Sequence, residues 1–269
     1  MTEIKKTLII LKARWPEVTL IVGLYALAVL SNNLFRAARP GLTKTLILMY
    51  IPFLLFSLTL MVVSTILNYG FLRTVYLEDQ KGQTPMALLK KGRYFFWRMV
   101  GFGLIYVVPC LILSWLIFLI IKYFTSINTG FFETAKVTPW LYQLCFTTPM
   151  LILIKVVLFI PALIFVLDCG VFESFKFLRK CKLLDSRGLV ALFCLKIVLP
   201  FLWLFLRTPY NPETTSQYIL RSVPTVIDYV LWLTIAVTAV RFVGSLDLVY
   251  DDSTNDSNSE DLLQPSTKD

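Results

Sequence analysis

Residues 151–188 decide the fold, and they read LILIKVVLFIPALIFVLDCGVFESFKFLRKCKLLDSRG. Up to residue 167 the stretch is an apolar run interrupted by one charge, Lys155, and by Pro161. After Asp168 and Gly170 it becomes a short segment that is apolar on one helical face and basic on the other. We interpret it as a membrane-spanning helix that continues into a helix lying on the membrane surface.

The whole chain shares this apolar character. It has 269 residues, of which 57% are hydrophobic and 14% aromatic, and its mean hydropathy is +0.72. A soluble domain of this size needs far less apolar content, because most of its surface faces water. Several runs of about twenty residues carry almost no charge, which is the length of a membrane-crossing helix. The sequence therefore predicts an integral membrane protein.

Apolar runs and basic segments alternate along the chain. Six predicted spans cover residues 18–34, 45–69, 100–123, 148–167, 189–206 and 223–250. Basic amphipathic helices are predicted at residues 3–15, 86–97 and 171–182, each directly before a pair of spans. The predicted fold is all-α: a polytopic bundle of six transmembrane helices in three hairpins, each preceded by a basic interfacial helix.

The alternation also predicts an internal repeat. The transmembrane domain occupies residues 1–250, with possible repeat units at 3–70, 84–170 and 171–250. Asn68 with Gly70, and Asp168 with Gly170, then stand as matching helix-exit motifs of the first two units. Any alternation of hairpins with basic loops looks periodic, so a chance resemblance of the units stays open. Residues 251–269 are polar, acidic and nearly free of aromatics, which predicts a disordered tail.

The positive charges predict topology and partners. Three segments that include the basic helices hold 15 Lys and Arg residues, against 7 in the intervening loops. Cytoplasmic loops carry this excess, so both termini are predicted in the cytoplasm. The net charge of +9 lies beside the spans, which favours membrane lipids with anionic headgroups over nucleic acid. The predicted headgroup-binding residues are Lys90, Lys91, Arg93, Lys176, Arg179, Lys180 and Lys182. Alternatively these charges only enforce topology.

Signatures of catalysis are missing from the sequence. Histidine is absent, and the five cysteines form no C-x-x-C motif. The absence of histidine excludes Ser-His and Cys-His catalysis and the H-E-x-x-H zinc site. No nucleophile elbow or phosphate-binding glycine loop occurs. We therefore expect no enzyme, no catalytic residue, no metal and no cofactor.

Four charged residues fall inside predicted spans: Lys155, Lys196, Asp228 and Arg241. Ionisable groups in the hydrocarbon are costly, which makes each a candidate for function. Counted from the span ends, Lys155 and Asp228 have similar depth, and we predict that they pair. The four groups either line a path for an anionic lipid or solute, or they neutralise one another and extend towards the headgroups.

Short motifs carry a resemblance to a known group of proteins. Residues 68–73 read N-x-G-x-x-R, and ESFKFLRKCKLLDSRGL follows the fourth predicted span. With six spans and basic surface helices, the chain resembles the DUF975 and YciC-like uncharacterised bacterial membrane proteins, and the membrane domain attached to some glycerophosphodiester phosphodiesterases. Glu173-Ser174 stands where that group usually has Ala-Leu.

The resemblance implies a multi-pass protein of the bacterial inner (cytoplasmic) membrane without an assigned reaction. We expect a lipid-contacting factor in envelope or lipid homeostasis. The alternative is a small transporter or channel subunit for an anionic lipid or solute. A homo-oligomer, or a protein partner that reads the acidic tail, is also compatible with the pattern.

Overall fold

The computed structural model describes residues 2–38, 44–77, 82–126, 137–206 and 222–246, and every regular element in these ranges is helical. A 3-10 turn at Leu183–Ser186 separates the seventh and eighth α-helices. The α-helices are α1 Thr2–Ala13, α2 Trp15–Ala38, α3 Lys44–Tyr76, α4 Pro85–Ser126, α5 Val137–Ile152, α6 Ile154–Leu167, α7 Val171–Leu178, α8 Arg187–Leu206 and α9 Ser222–Gly244. The predicted acidic tail, residues 251–269, lies outside the described residues.

Several of these helices are long and apolar enough to cross a membrane. In the described ranges four qualify, namely Trp15–Leu34, Ile51–Tyr76, Pro85–Ile120 and Ser222–Gly244. A fifth candidate arises when α6 and α7, which are bent by 113° at their junction, are counted as one broken span. The all-α class and the multi-pass character therefore hold, with four or five candidate spans where the sequence predicts six.

Helices α3 and α4 form an antiparallel hairpin whose backbones touch. A Cβ placed on Gly92 would lie 1.8 Å from the carbonyl oxygen of Ile66, and one on Gly70 would lie 2.0 Å from that of Leu88. Only glycine permits this approach, as in the small-residue crossings of membrane helices. The prediction that Asn68 and Gly70 form a helix exit is wrong, because α3 continues through both to Tyr76 and uses Gly70 for packing.

The second predicted surface helix is also part of a longer element. Residues 86–97 do not turn onto a surface but form the first turns of α4, which runs unbroken for 42 residues. At 1.5 Å per residue this is about 63 Å, twice the thickness of the hydrocarbon core. The close contact with α3 holds these basic turns in line with the span, so the prediction of a separate interfacial helix here is wrong.

The N-terminal segment packs on the bundle. Arg14 is the turn between α1 and α2, and its side chain is 4% exposed, paired with Glu17 at 2.5 Å. The Arg14 guanidinium lies 4.7 Å from the ring centroid of Phe71 on α3. Thr7 of α1 shares a buried hydrogen bond of 3.1 Å with Thr238 of α9. The predicted helix at residues 3–15 exists, but one of its faces lies against protein.

The centre of the molecule is α6. The predicted fourth span is broken at Leu153, where φ is −97° and ψ is 19°, so that α5 ends and α6 begins. Nine of the 14 residues of α6, within 157–166, are buried. Phe165 meets Phe95 of α4 with ring centroids 5.1 Å apart, and Phe159 meets Phe242 of α9 at 5.7 Å. These ring contacts add close van der Waals packing, which drives helix association in a membrane.

Two ends of the bundle can be distinguished by contacts. At one end, which we call the basic end, Ile4 lies against Gly188 and Tyr76 lies against Gly244. At the opposite end, Asn33 of α2 donates a hydrogen bond of 2.9 Å to Ser222 at the start of α9. Between them, Ser57 and Ser64 of α3 donate to carbonyl oxygens of α2. These bonds replace the water that interior polar groups would otherwise need.

Candidate functional site

Two arginines from other helices bind the C-terminus of α6. A helix end leaves its last carbonyl groups without intrahelical partners. Arg73 of α3 donates from Nη1 to the Phe165 oxygen and, at 3.2 Å, to the Val166 oxygen. Arg98 of α4 donates from Nη1 to the backbone carbonyl oxygen of Asp168 at 2.9 Å. Positive charge at this position is also favoured by the helix dipole. We call Arg73, Arg98 and Asp168 the arginine cap.

The carboxylate of Asp168 completes the arginine cap. One oxygen accepts a bond of 2.6 Å from Arg98, and the other lies 3.6 Å from Arg73 Nη2. The side chains of Asp168, Arg98 and Arg73 are 40%, 28% and 18% exposed. Charge-assisted bonds of this kind are roughly twice as strong as neutral ones. The arginine cap thus joins α3 and α4 to the junction of α6 with α7.

Aromatic rings hold both guanidinium groups in place. Arg98 lies 4.5 Å from the ring centroid of Tyr94 and donates to its hydroxyl at 2.7 Å. Arg73 lies 5.5 Å from the ring centroid of Tyr76 and 5.6 Å from that of Phe95. Stacking on aromatic faces favours arginine over lysine. The arrangement therefore fixes the angle at which α7 leaves α6.

Asp168 has a left-handed backbone. Its φ of 53° and ψ of 32° make it the only non-glycine residue with positive φ in the described part of the chain. A left-handed residue ends a helix in many proteins, and aspartate and asparagine tolerate it better than other non-glycine residues. Helix α7 then starts after Gly170, whose amide donates to the Glu173 carboxylate at 2.7 Å. The turn and the start of α7 are thus both specified by sequence.

Substitutions at Asp168 separate its backbone role from its charge. We expect Asp168→Asn to lose the ion pairs but keep the turn, and to lower the unfolding free energy by about 1–2 kcal/mol. Asp168→Val adds backbone strain of about 1–3 kcal/mol, because a β-branched residue disfavours positive φ. Thermal unfolding of the purified protein in detergent should show stability decreasing from the unchanged protein to Asp168→Asn and then to Asp168→Val. Equal stability of Asn and Val would contradict a left-handed turn at this residue.

The predicted headgroup-binding residues lie on two separate helices. On α7 and directly after it, Lys176, Arg179, Lys180 and Lys182 are all exposed. Phe172 is 76% exposed beside them, while Ser174 is fully buried on the inner face. On α4, Lys90 and Arg93 are exposed and Lys91 is half-buried. We call Phe172 with Lys176, Arg179, Lys180 and Lys182 the α7 basic face.

The intramembrane charges pair differently from the sequence prediction. Both oxygens of Asp228 on α9 accept from Lys196 Nζ on α8, at 2.7 and 2.9 Å. Lys155 is not the partner; it lies near Cys181, where burial raises the thiol pKa and the Lys155 charge acts in the opposite direction. Two residues at the same depth in the membrane can still lie on helix faces that do not point towards each other. The predicted Lys155–Asp228 pair is therefore wrong.

Aromatic and hydroxyl groups surround the Lys196–Asp228 pair. Lys196 Nζ lies 5.5 Å from the ring centroid of Trp232. The next residue after Asp228, Tyr229, stacks on Tyr25 of α2 with centroids 3.8 Å apart. Its hydroxyl lies 3.3 Å from Ser64 Oγ on α3. The Asp228 side chain is 38% exposed and that of Lys196 20% exposed. A polar cluster therefore links α2, α3, α8 and α9.

Arg241, the fourth predicted charge, belongs to neither group. It is half-buried in the last turns of α9, and its Nε atom is buried without a hydrogen bond. The structure therefore brings together Lys196 and Asp228, and it does not join Lys155 or Arg241 to them. Among the described residues, no group of three or more acidic, cysteine or histidine side chains could hold a metal ion.

Sequence reasoning missed Arg98 and gave Arg73 only as part of a motif. Both lie in segments where basic residues look like topology signals. A weak signal exists for Arg98, because Tyr94 precedes it by four residues and the two share a helical face. The sequence does not reveal the partner of Arg98, which is the helix end at Asp168, seventy residues later in the chain.

No family model, curated protein or solved structure matches this chain.

Proposed function

We propose that this protein is a six-span membrane protein that contacts anionic lipid headgroups through the α7 basic face. The observation that carries the proposal is the placement of α7. Phe172 and Lys176 on α7 are exposed, as are Arg179, Lys180 and Lys182 directly after it, and the arginine cap lies at the junction where α7 is bent by 113° from α6. An amphipathic helix that lies across the direction of a span and is followed directly by a basic segment suits the membrane interface. Each Lys or Arg near an anionic surface contributes about 1 kcal/mol.

The cellular setting is part of the same proposal. The excess of Lys and Arg in the segments of the basic end supports placing this end, and both termini, in the cytoplasm. A bacterial inner membrane and a role in envelope or lipid homeostasis belong to the proposal because residues 68–73 and 173–189 resemble segments of the YciC-like proteins. The protein acts there as a lipid-contacting factor and not as an enzyme, alone or as a homo-oligomer.

Removing the cations of the α7 basic face tests this function. We expect a variant with four changes to lower the preference for phosphatidylglycerol over phosphatidylcholine about tenfold, since the electrostatic attraction is lost. The changes are Lys176→Gln, Arg179→Gln, Lys180→Gln and Lys182→Gln. Electron spin resonance with spin-labelled lipids on the reconstituted protein gives the relative association constants. The control variant changes Arg36, Arg39 and Lys44 to Gln. The sequence places these residues on the opposite side of the membrane from the α7 basic face, so the control should alter the lipid preference less than twofold. An unchanged preference in the α7 variant would refute the proposal.

A second candidate function rests on the Lys196–Asp228 pair. The pair is partly exposed within apolar helices, and the tyrosine cluster beside it reaches α2 and α3. Charged groups at such depth often belong to a path for ions or solutes. On this view the protein is a small transporter or channel subunit for an anionic lipid or solute, with Lys196 as the anion-binding group.

A further inference from the structure

The α7 basic face combines charge with an exposed aromatic ring. Its four cations occur within seven residues, from Lys176 to Lys182, and all are exposed. Lys180 Nζ lies 5.6 Å from the ring centroid of Phe177, and the Lys180 side chain is exposed at the surface. Phe172, at the start of the helix, exposes 76% of its area. A partner for this face needs several acidic groups and an apolar side chain.

The chain itself contains a segment with this composition. Residues 247–269 read DLVYDDSTNDSNSEDLLQPSTKD, with seven acidic residues and one lysine. The leucines at 262 and 263 directly follow Glu260 and Asp261. The acids are opposite in charge to the cations of the α7 basic face, and the leucine pair is apolar like its phenylalanine, so the segment complements the face in kind.

The segment also starts close to that face. A Cβ on Gly244, at the end of α9, would lie 3.0 Å from the Tyr76 ring. The same ring lies 5.5 Å from Arg73, whose Nη2 is 3.6 Å from Asp168 at the entry to α7. A random coil of the length of this segment, 23 residues, would have a root-mean-square end-to-end distance of about 25 Å. Helix α7, with 8 residues, is only about 12 Å long.

We propose that residues 247–269 dock on the α7 basic face. Their acidic residues pair with Lys176, Arg179, Lys180 and Lys182, and Leu262 and Leu263 cover Phe172. The docking itself stands on charge and position, but its consequence rests on the proposed function. The same cations cannot serve the tail and anionic headgroups together, so the tail competes with lipid and weakens headgroup contact until anionic lipid displaces it.

Photo-crosslinking on the full chain tests the docking. Benzoylphenylalanine at position 172, in nanodiscs of phosphatidylcholine, is expected to crosslink to peptides of residues 247–269, identified by mass spectrometry. The yield should fall at least fivefold between 50 mM and 500 mM salt, because screening shortens the range of charge attraction to a few ångströms. The matched control places the probe at the exposed Trp115 of α4, from which no tail peptide should be captured.

A charge exchange makes the test specific. Changing Lys176, Arg179, Lys180 and Lys182 to Glu should lower the crosslink yield at least tenfold. Adding Asp251→Lys, Asp252→Lys, Asp256→Lys and Asp261→Lys should restore it, provided that both variants elute as the same folded species by size exclusion. Capture of only lipid or another protein at position 172, or a yield unaffected by the exchange, overturns the docking.

Lipid composition separates this inference from the proposed function. In nanodiscs with phosphatidylglycerol we expect the tail crosslink to fall at least threefold, as headgroups take over the cations. If the yield stays constant there while the salt and exchange results hold, the docking stands and the headgroup proposal fails. If phosphatidylglycerol preference is found but no tail crosslink in any lipid, the headgroup proposal stands and the docking fails.

Discussion

Gly92→Ala is expected to prevent the α3–α4 hairpin from closing and to destabilise the folded protein by about 3 kcal/mol or more. The added Cβ would lie 1.8 Å from the Ile66 carbonyl oxygen and 2.9 Å from the Gly70 nitrogen. Both are backbone atoms, so no side-chain rotation relieves the clash and the helices have to separate. Gly70→Ala meets the Leu88 backbone in the same way. Thermal unfolding by fluorescence-detected size exclusion in detergent measures the loss.

The chain provides a matched control on the same helix. A Cβ on Gly101 or Gly103 of α4 would meet nothing within 4 Å. Gly101→Ala should therefore be neutral or stabilise by up to about 1 kcal/mol, since alanine has the higher helix propensity. A Gly92→Ala protein as stable as Gly101→Ala would show that α3 and α4 do not approach at Gly92 as described.

Removal of one charge from the Lys196–Asp228 pair is expected to be nearly as harmful. Asp228→Leu leaves the Lys196 ammonium unpaired among apolar helices, which costs about 2–4 kcal/mol. Lys196→Met combined with Asp228→Leu removes both charges and should recover most of the loss. The difference between the single and double changes in a double-mutant cycle, measured by thermal unfolding, gives the coupling of the pair.

Lys155→Met supplies the control for this cycle. It removes a lysine at similar depth that does not contact Asp228, and it should not rescue Asp228→Leu. Rescue by Lys155→Met instead of Lys196→Met would restore the pair that the sequence predicts. The folded double variant also tests transport: anion or lipid flux in liposomes that persists without both charges excludes the pair as a conducting path, and loss of flux supports the second candidate function.

The sequence predicts the helical class well because its signal is local. Apolar runs of about twenty residues indicate spans whatever surrounds them. The break at residues 168–170 was also predictable, since Asp168 tolerates a left-handed backbone and Gly170 precedes an amphipathic segment. The spacing of Lys176, Arg179, Lys180 and Lys182 predicted that they are exposed, and they are, although the last three lie directly after α7 and not on it.

Other features depend on contacts between distant parts of the chain. Gly70 looks like a helix-ending residue when read singly, and only the close approach of α3 and α4 at Gly70 and Gly92 explains why these positions are glycine. Depth along a span gave Lys155 and Asp228 the same height, but the sequence does not give the side of the helix that faces a neighbour. Arg98 is one basic residue among six in its segment until α6 ends beside it.

The burial of α6 has a consequence for biosynthesis. This helix has 14 residues, about 21 Å of length, and offers lipid almost no free surface. Its carbonyl groups are capped by Arg73 and Arg98, which the ribosome has already supplied when α6 emerges. Its other flank is covered by α9, which is translated more than fifty residues later. The contacts of α6 with α3 and α4 can therefore form as soon as it is translated, whereas its contact with α9 can form only after α9 has been made.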